Sequence, residues 1–323
     1  MPAPIKAPLT PAQNKEGQSV QAKVFQLSSI PKVMDKLGWT VAARVMRKWF
    51  AGEPYELPKS VKQGDIAAST LSADKLITDI PFEWLFTGSK RVKPKVDEYI
   101  AELSSTSEFN GSAGRVKGSL DELSKGLIVL MTRLQRLGLL DAKSKKLKSA
   151  YLDYSDKTAI ELEDISQFNL IRFGAKDWEK ATDALDDVYG ALGTFVVKVA
   201  ATKFRTIQND HGFPAIEIEQ VGLYVRDTYD FLNAGDDQLL GYWAPEGVTR
   251  PGPIDYFAEP ALIEKAGVEY HKVTNGHFNK YRQVNGKGGD MMIYTTVKLY
   301  DVSFIIHLGP IDFEEYLSRS GSK

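Results

Sequence analysis

The chain has 323 residues, a formal net charge of −1, an apolar fraction of 43% and no cysteine. This length and composition predict a globular protein with one large or two ordinary cores. They exclude disulfides, zinc–thiolate sites and thiol nucleophiles. The near-zero charge argues against nucleic acid as a ligand. Because no run of 18 apolar residues occurs, no transmembrane segment is expected.

The N-terminal segment 1–27 is rich in Pro, Gln, Ser and Lys, and we predict a disordered arm there. This arm lacks the apolar run of a signal peptide. The chain is therefore expected to be made and folded in the cytoplasm without a Sec-type address.

A first amphipathic helix is predicted from about Ser29 to Gly52, where apolar residues recur at steps of three and four. Serine supplies a capping oxygen, and Pro31 suits the first helical turn. The Trp49–Phe50 end of this helix is expected to pack into a core, with anchoring of a partner as the alternative. Residues 53–63 are predicted to form a loop. The following fifty residues give mixed signals.

Two more helices are predicted, from about Ser119 to Leu140 and from about Lys176 to Leu192. Ser119 and Glu122 have the spacing of a capping box at the start of the first one. Apolar residues at helical spacing define the rest of both helices. The lysine-rich stretch 141–149 between them is a candidate domain boundary.

The hydrophobic period then changes to the alternation typical of strands, over 194–207 and 215–226, which predicts a long hairpin. Residues 291–308 predict one or two further strands. The fold class is therefore α+β, with a helical N-terminal half followed by a C-terminal domain built on long antiparallel strands. The predicted domains are the arm 1–27, a helical docking or delivery domain 28–148, and an α+β catalytic domain 149–323.

The most specific polar run is Asp227-Thr228-Tyr229-Asp230, at the end of a predicted strand. In an extended chain Asp227 and Tyr229 project from the same face. A turn soon afterwards would bring Asp230 back towards Asp227. Two carboxylates that meet at a strand end form a hard oxygen site that suits Mg²⁺. The alternative is that both aspartates are turn caps.

A second cluster contains His277 and Arg282, followed by the glycine-rich run Gly286-Lys287-Gly288-Gly289-Asp290. A guanidinium suits phosphate, and an imidazole transfers protons near neutral pH. Free N–H groups of a glycine-rich turn can bind an anion, although these glycines are equally typical of a simple hairpin. Together the two clusters contain the parts needed for metal-assisted cleavage of a phosphoester.

Several of these residues resemble a proteobacterial family of unassigned function that is often encoded near type VI secretion genes. The resemblance covers most of the chain after about residue 25. The segments that carry it are Ile30-Pro31, Gly38-Trp39, Trp49-Phe50, Tyr224, Asp227–Phe231 and Gly286–Asp290.

Asp227-Thr228-Tyr229-Asp230 also resembles the start of the Asp-x-Tyr-Asp signature of colicin M-type bacteriocins. Those Mg²⁺-dependent phosphodiesterases cleave lipid II, the undecaprenyl-linked peptidoglycan precursor, in the periplasm. Where they have a His-Arg pair, this chain has Asp236 and Asp237. We hypothesise that an insertion over 239–272 displaces the pair and leaves His277 and Arg282 to replace it.

The resemblances imply an antibacterial type VI secretion effector that hydrolyses the phosphoester linkage of lipid II and blocks peptidoglycan synthesis. Asp227 and Asp230 would bind Mg²⁺ or activate water, and Tyr229 would position the pyrophosphate. Arg282 would offset its charge, and His277 would shuttle the proton. The expected partners are lipid II at the membrane surface, a secretion spike or adaptor, and a cognate immunity protein. The effector would act in the target-cell periplasm.

A non-catalytic interaction protein is the main alternative, either an adaptor that escorts cargo or an immunity-type partner. In that case Asp227 and Asp230 are turn caps and the glycines form a hairpin. A nuclease is a third possibility, which the low positive charge disfavours.

Overall fold

The computed structural model describes residues 25–109, 123–174, 185–208, 212–231, 237–252, 255 and 258–320. Most of the predicted arm, the Ser119–Glu122 capping box and the first half of the helix predicted from Lys176 lie outside these ranges. Within them, no helix combines the length and the apolarity needed to cross a bilayer.

The helices of the described residues are numbered in chain order. They are α1 Ile30–Lys36, α2 Thr40–Ala51, α3 Lys59–Gln63, α4 Trp84–Gly88, α5 Val92–Ser105, α6 Leu123–Arg136, α7 Ala159–Ile165, α8 Asp187–Leu192, α9 Asn275–Asn285 and α10 Pro310–Ser320. Short 3-10 turns occur at Leu27–Ser29, Ala68–Thr70 and Ala73–Lys75.

The strands are numbered in the same way. They are β1 Leu76–Ile80, β2 Glu108–Phe109, β3 Leu140–Asp141, β4 Lys146–Leu147, β5 Ala150–Asp153, β6 Gln167–Phe173, β7 Phe195–Gln208, β8 Pro214–Tyr229, β9 Leu239–Ala244, β10 Gly247–Thr249, β11 Leu262–Lys265, β12 Val268–Thr274, β13 Met291–Thr295 and β14 Lys298–His307.

The first predicted helix is two helices, α1 and α2, so the prediction of one continuous helix is wrong. Gly38 has φ +78°, a left-handed conformation that glycine adopts without steric cost. The N–H of Gly38 donates to the carbonyl of Asp35, and that of Trp39 donates to Met34. These two bonds form the Schellman motif that ends a helix. The loop predicted over 53–63 likewise contains the short helix α3.

The larger sheet is built around the antiparallel β7–β8 hairpin, which confirms the predicted hairpin. On its other side β8 pairs antiparallel with β14 and, through its last residues, with β13. β1 pairs parallel with β13, and β2 pairs parallel with β14, so these two strands extend the sheet. β5 and β6 pair antiparallel with β7. A second, four-stranded sheet has the order β10-β9-β12-β11. It occupies much of the segment 239–272 that the sequence analysis describes as an insertion.

Both faces of the larger sheet are covered, because alternate residues of β8 enter two different apolar clusters. Val225 belongs to the cluster that contains Trp49 of α2, and Tyr224 belongs to the cluster that contains Leu57 and Val61. A strand with two buried faces is expected to be apolar at consecutive positions. The run from Val221 to Val225 follows that pattern.

The α+β fold class is confirmed, with helices concentrated in the N-terminal half and long antiparallel strands in the C-terminal half. The two halves are nevertheless joined inside one sheet, since β1 pairs with β13 and β2 pairs with β14. Both apolar clusters also contain residues from each side of residue 148. Among the described residues, the predicted domains 28–148 and 149–323 therefore share both apolar clusters.

Candidate functional site

The C-terminal end of β8 carries the residues that the sequence analysis singles out. β8 continues through Tyr229, so the Asp227 and Tyr229 side chains project from the same face, as predicted. Asp227 is paired with Ile293 of β13, and Tyr229 with Met291. This hydrogen-bonded register holds the polar run against a rigid neighbouring strand.

A cavity of about 310 Å³ lies in front of this strand end. Asp227, Tyr229 and Asp230 all line it. The other walls come from α1, α2, α8, the small sheet and the start of α9, and the lining surface is polar and apolar in about equal parts. Its apolar members include Ile30, Met34, Trp39, Met46, Leu192, Leu239, Leu240, Trp243, Val248, Val273 and Phe278. A cavity that combines apolar walls with convergent polar groups is the usual form of a small-molecule site.

The Asp227 carboxyl lines this cavity and has a strongly shifted pKa. Burial raises its pKa to about 8, and the neighbouring charge of Asp230 adds to the rise. The Thr228 backbone N–H and the charge of Arg226 act in the opposite direction. Within the described residues Asp227 has no ion-pair partner. At neutral pH the carboxyl is therefore mostly protonated and can donate a proton.

Asp230 forms an ion pair with Lys62, a residue that the sequence pattern did not indicate. Lys62 of α3 places its Nζ atom 2.9 Å from Asp230 Oδ2, and both side chains are largely buried. The Lys62 ammonium has no hydrogen-bond partner of good geometry in the described part of the chain. It is thus a buried donor beside the acidic pair. Lys62 and Asp230 are 168 positions apart in the sequence, so no local pattern could have paired them.

Tyr229 is part of the wall of the cavity. Its hydroxyl lies 3.4 Å from Met46 Sδ, and its ring contacts Phe231 at a centroid distance of 5.3 Å. Burial raises the pKa of this hydroxyl, so Tyr229 stays neutral. The contacts are those of a packed side chain, and the predicted role in positioning pyrophosphate has no support in them.

The sequence predicts that Arg282 lies close to Asp227 and Asp230. The structure instead places Arg282 outside this cavity. It is 7% exposed, forms a buried ion pair with Asp290, and places Nη1 3.0 Å from Glu56 Oε1. Its guanidinium also lies over the Trp49 ring, 5.4 Å from the centroid. These contacts engage both Nη atoms of the guanidinium and join α9 to the end of α2 and the segment that follows it.

The glycine-rich run after α9 is packed against the same end of α2. The N–H of Gly288 donates to the Gly52 carbonyl, and the N–H of Gly289 donates to the Trp49 carbonyl. A Cβ atom on Gly288 would lie 2.6 Å from the Trp49 ring, which explains the glycine there. Because these N–H groups are already bonded, they are not an anion-binding turn.

His277 also lies outside the Asp227 cavity, in the first turn of α9. Its Nδ1 atom accepts the backbone N–H of Thr274 at 3.1 Å, which completes a capping box. The imidazole is exposed to solvent. His277 therefore stabilises the start of a helix, and the structure does not bring it to Asp227.

The predicted Mg²⁺ ligands are Asp227 and Asp230. Metal ligands bind in their deprotonated form, but burial favours the protonated form of Asp227, and Lys62 is paired with Asp230. No group of three or more His, Asp or Glu residues suited to a metal occurs in the ranges that the structure describes. These two residues alone do not fit a resident Mg²⁺ ion, so the chemistry considered for this cavity uses no metal.

Comparison with known proteins places the chain in a family. Residues 25–308 match DUF6402, described as a family of unknown function. The chain belongs to DUF6402. No curated protein and no solved structure matches it significantly. Because the DUF6402 description assigns no activity, the resemblances to a type VI-associated family and to colicin M-type bacteriocins stay predictions.

The DUF6402 match includes every element that encloses the Asp227 cavity, from α1 to α9. It ends at residue 308, directly before α10. The cavity is therefore built from the part of the chain that the family shares.

Proposed function

We propose that this DUF6402 protein is a hydrolase that binds an amphipathic substrate in the Asp227 cavity and cleaves it by carboxyl acid–base chemistry. The observation that carries the proposal is the Asp227 carboxyl, whose pKa is raised to about 8 in a cavity that it shares with Asp230. Perturbed acids in a cleft are typical of catalytic sites.

The two carboxyl groups have different environments, which supports different roles for them. Asp227 is desolvated and has no ion-pair partner among the described residues, so it is suited to act as the general acid. Asp230 is paired with Lys62, and its carboxylate is suited to accept a proton from water. Lys62 would also offset negative charge that develops on the substrate.

The expected substrate is lipid II. Apolar side chains of α1, α2 and the small sheet offer a surface for an isoprenoid chain, and the acidic pair lines the same cavity. The resemblance of the Asp227–Asp230 run to colicin M-type bacteriocins supports a phosphoester as the bond that is cleaved. Delivery by a type VI apparatus into the periplasm, and a cognate immunity protein, also rest on resemblance.

The reaction balances as a simple hydrolysis. Water attacks phosphorus while the Asp230 carboxylate takes up its proton, so the new P–O bond comes from water. The bond between phosphorus and the ester oxygen breaks, and Asp227 gives its proton to that leaving oxygen. General acid–base catalysis of this kind contributes about 10²–10⁴-fold to a rate.

The direct test incubates the purified full-length chain with lipid II in detergent micelles and measures release of the water-soluble head group. The wild type is expected to release it. Asp227→Asn and Asp230→Asn are each expected to lower the rate by about 100-fold or more, since each removes one proton-transfer group. A chelator should leave the wild-type rate unchanged, because the Asp227–Asp230 pair does not fit a resident Mg²⁺ ion.

Asp79→Asn is the matched control, because Asp79 is an exposed aspartate of β1 that pairs with Arg44 and does not line the cavity. It should keep the wild-type rate. Intact lipid II after incubation with folded wild type would overturn the proposal. Expression with a periplasmic signal then separates the alternatives. Harmless expression there favours an adaptor or immunity-type protein, whereas lysis that Asp227→Asn abolishes favours the hydrolase.

A further inference from the structure

A second cavity lies on the opposite face of the larger sheet. In the β7–β8 register Lys198 is directly opposite Tyr224, and in the β8–β13 register Arg226 is opposite Tyr294. Directly paired residues project from the same face, and so do residues two apart on one strand. Lys198, Tyr224, Arg226 and Tyr294 therefore share a face, whereas Asp227 projects from the other one.

This second cavity has a volume of about 580 Å³ and is covered by α6, α7 and α10. Five basic and three acidic side chains line it, a net charge of +2 in a chain whose overall net charge is −1. The basic members are Arg133, Arg136, Lys198, Arg226 and Arg319, and the acidic members are Asp65, Glu163 and Asp164. Excess positive charge in an enclosed cavity attracts anions.

Two of the inner cations have evident structural partners. Arg133 donates to the backbone carbonyls of Glu163, Asp164 and Gln167, which closes the C-terminal end of α7. Arg226 donates to the carbonyls of Val61 and Lys62 near the end of α3. Cations at helix C-termini are stabilising. The guanidinium groups are thus held in place, yet their charges still face the cavity.

Lys198 instead pairs with a carboxylate that it shares with other donors. Its Nζ atom lies 3.7 Å from Glu163 Oε1, and its side chain is 15% exposed. The same Glu163 carboxylate accepts the Tyr224 hydroxyl at 3.0 Å and lies 3.6 Å from Arg226 Nε. The Glu163 carboxylate is therefore shared by Lys198, Tyr224 and Arg226. Burial lowers the pKa of Lys198, which reflects this incomplete compensation.

The mouth of the cavity carries exposed apolar side chains. Ile66 is 44% exposed and Val129 is 39% exposed, and both line the cavity. Ile128 and Ile160 add further apolar surface to its wall. A ligand that fills this space needs an apolar part as well as an anionic head.

We propose that this cavity binds the phosphate group of an organic phosphate monoester, with Lys198 as the main ligand of the phosphate and with Ile66 and Val129 against the apolar part. A phosphate monoester carries about −1.5 to −2 charges at neutral pH, which matches the net charge of the lining. A ligand with a single carboxylate in place of the phosphate would neutralise only half of the net charge of the lining. This site is separate from the Asp227 cavity, so it stands or falls independently of the hydrolase proposal.

Isothermal titration of the full-length chain with phenyl phosphate tests the site, with benzoate as a carboxylate of similar size. Phenyl phosphate is expected to bind, and benzoate at least tenfold more weakly. Lys198→Met should weaken phenyl phosphate binding by tenfold or more. Without ligand, this variant should remain folded, because the Glu163 carboxylate keeps the Tyr224 hydroxyl and Arg226 as partners.

Lys203→Met is the matched control. Lys203 is on the same strand and pairs with Asp153 at 3.9 Å, but it does not line the cavity. Its affinity for phenyl phosphate should equal that of the wild type. The proposal is overturned if the wild type does not bind phenyl phosphate, or if Lys198→Met binds it as tightly as the wild type. Equal affinities for benzoate and phenyl phosphate would overturn the assignment to phosphate.

Discussion

Two acids, the fully buried Asp290 and the partly buried Asp227, lie in very different surroundings. Asp290 is fully buried and accepts hydrogen bonds from Arg282, from Trp49 Nε1 at 3.2 Å and from the Leu57 N–H at 3.2 Å. Asp227 faces a cavity and has no cation within ion-pair distance among the described residues. Burial raises both pKa values, but the partners of Asp290 oppose the rise.

The surroundings of Asp290 suit a structural role, whereas those of Asp227 suit a chemical one. A buried carboxylate with a full set of donors stabilises the fold, and breaking its ion pair leaves an uncompensated charge. A buried carboxyl that keeps its proton and opens on a cavity can exchange that proton with a ligand.

Arg282→Met should cost about 3–5 kcal/mol of unfolding free energy, because it leaves the Asp290 carboxylate buried without its cation. Urea denaturation at pH 7 measures the change. Adding Asp290→Asn to the same chain should recover part of the loss, since the amide carries no charge.

Lys287→Met is the control for Arg282→Met, because Lys287 also pairs with an acid, Glu53, but at the exposed surface. It should cost less than about 1 kcal/mol. If Arg282→Met is equally mild, Asp290 and Arg282 do not form a stabilising centre.

Asp227→Asn should raise stability at pH 8 by about 1–2 kcal/mol, a figure that discounts the partial solvent exposure of the carboxyl. In the folded chain this carboxyl stays protonated up to about pH 8, whereas in the unfolded chain it ionises near pH 4. The wild type therefore loses stability as pH rises between these values, and the asparagine variant does not.

Thermal unfolding of both chains at pH 5 and pH 8 measures this difference. The gap between the variant and the wild type should widen as pH increases. A constant gap would mean that Asp227 titrates normally, which would remove the basis for its role as a general acid. In the lipid II assay, the wild-type rate should fall above about pH 8 for the same reason.

His277→Ala should cost about 0.5–1 kcal/mol, the usual value of a helix-capping interaction, because Thr274 loses the acceptor of its N–H. Chemical denaturation measures this cost. The rate with lipid II should be unchanged within twofold. A tenfold loss of rate in a variant of normal stability would return His277 to the catalytic site and contradict the structural role.

Much of the fold was predictable from local pattern. The alternation over β7 and β8 has the period of an extended chain, and residues 291–308 were also predicted as strands, so the antiparallel core of the sheet was identified. β1 was not predicted, because a short parallel strand is defined by its distant partner β13 rather than by its own five residues. The division of the first helix at Gly38 was missed for a related reason, since glycine is tolerated inside helical patterns.

The candidate site likewise has some features that local sequence predicts and others that it does not. The sequence by itself determined that Asp227 and Tyr229 project from one face, because strand geometry is local, and it marked Asp230 as their neighbour. Only the tertiary structure decided which cation joins them. Lys62 approaches from α3, whereas Arg282 and His277 are held by Asp290 and Thr274. Ion pairs between distant segments depend on the packing of the whole chain, so spacing along the sequence carries no information about them.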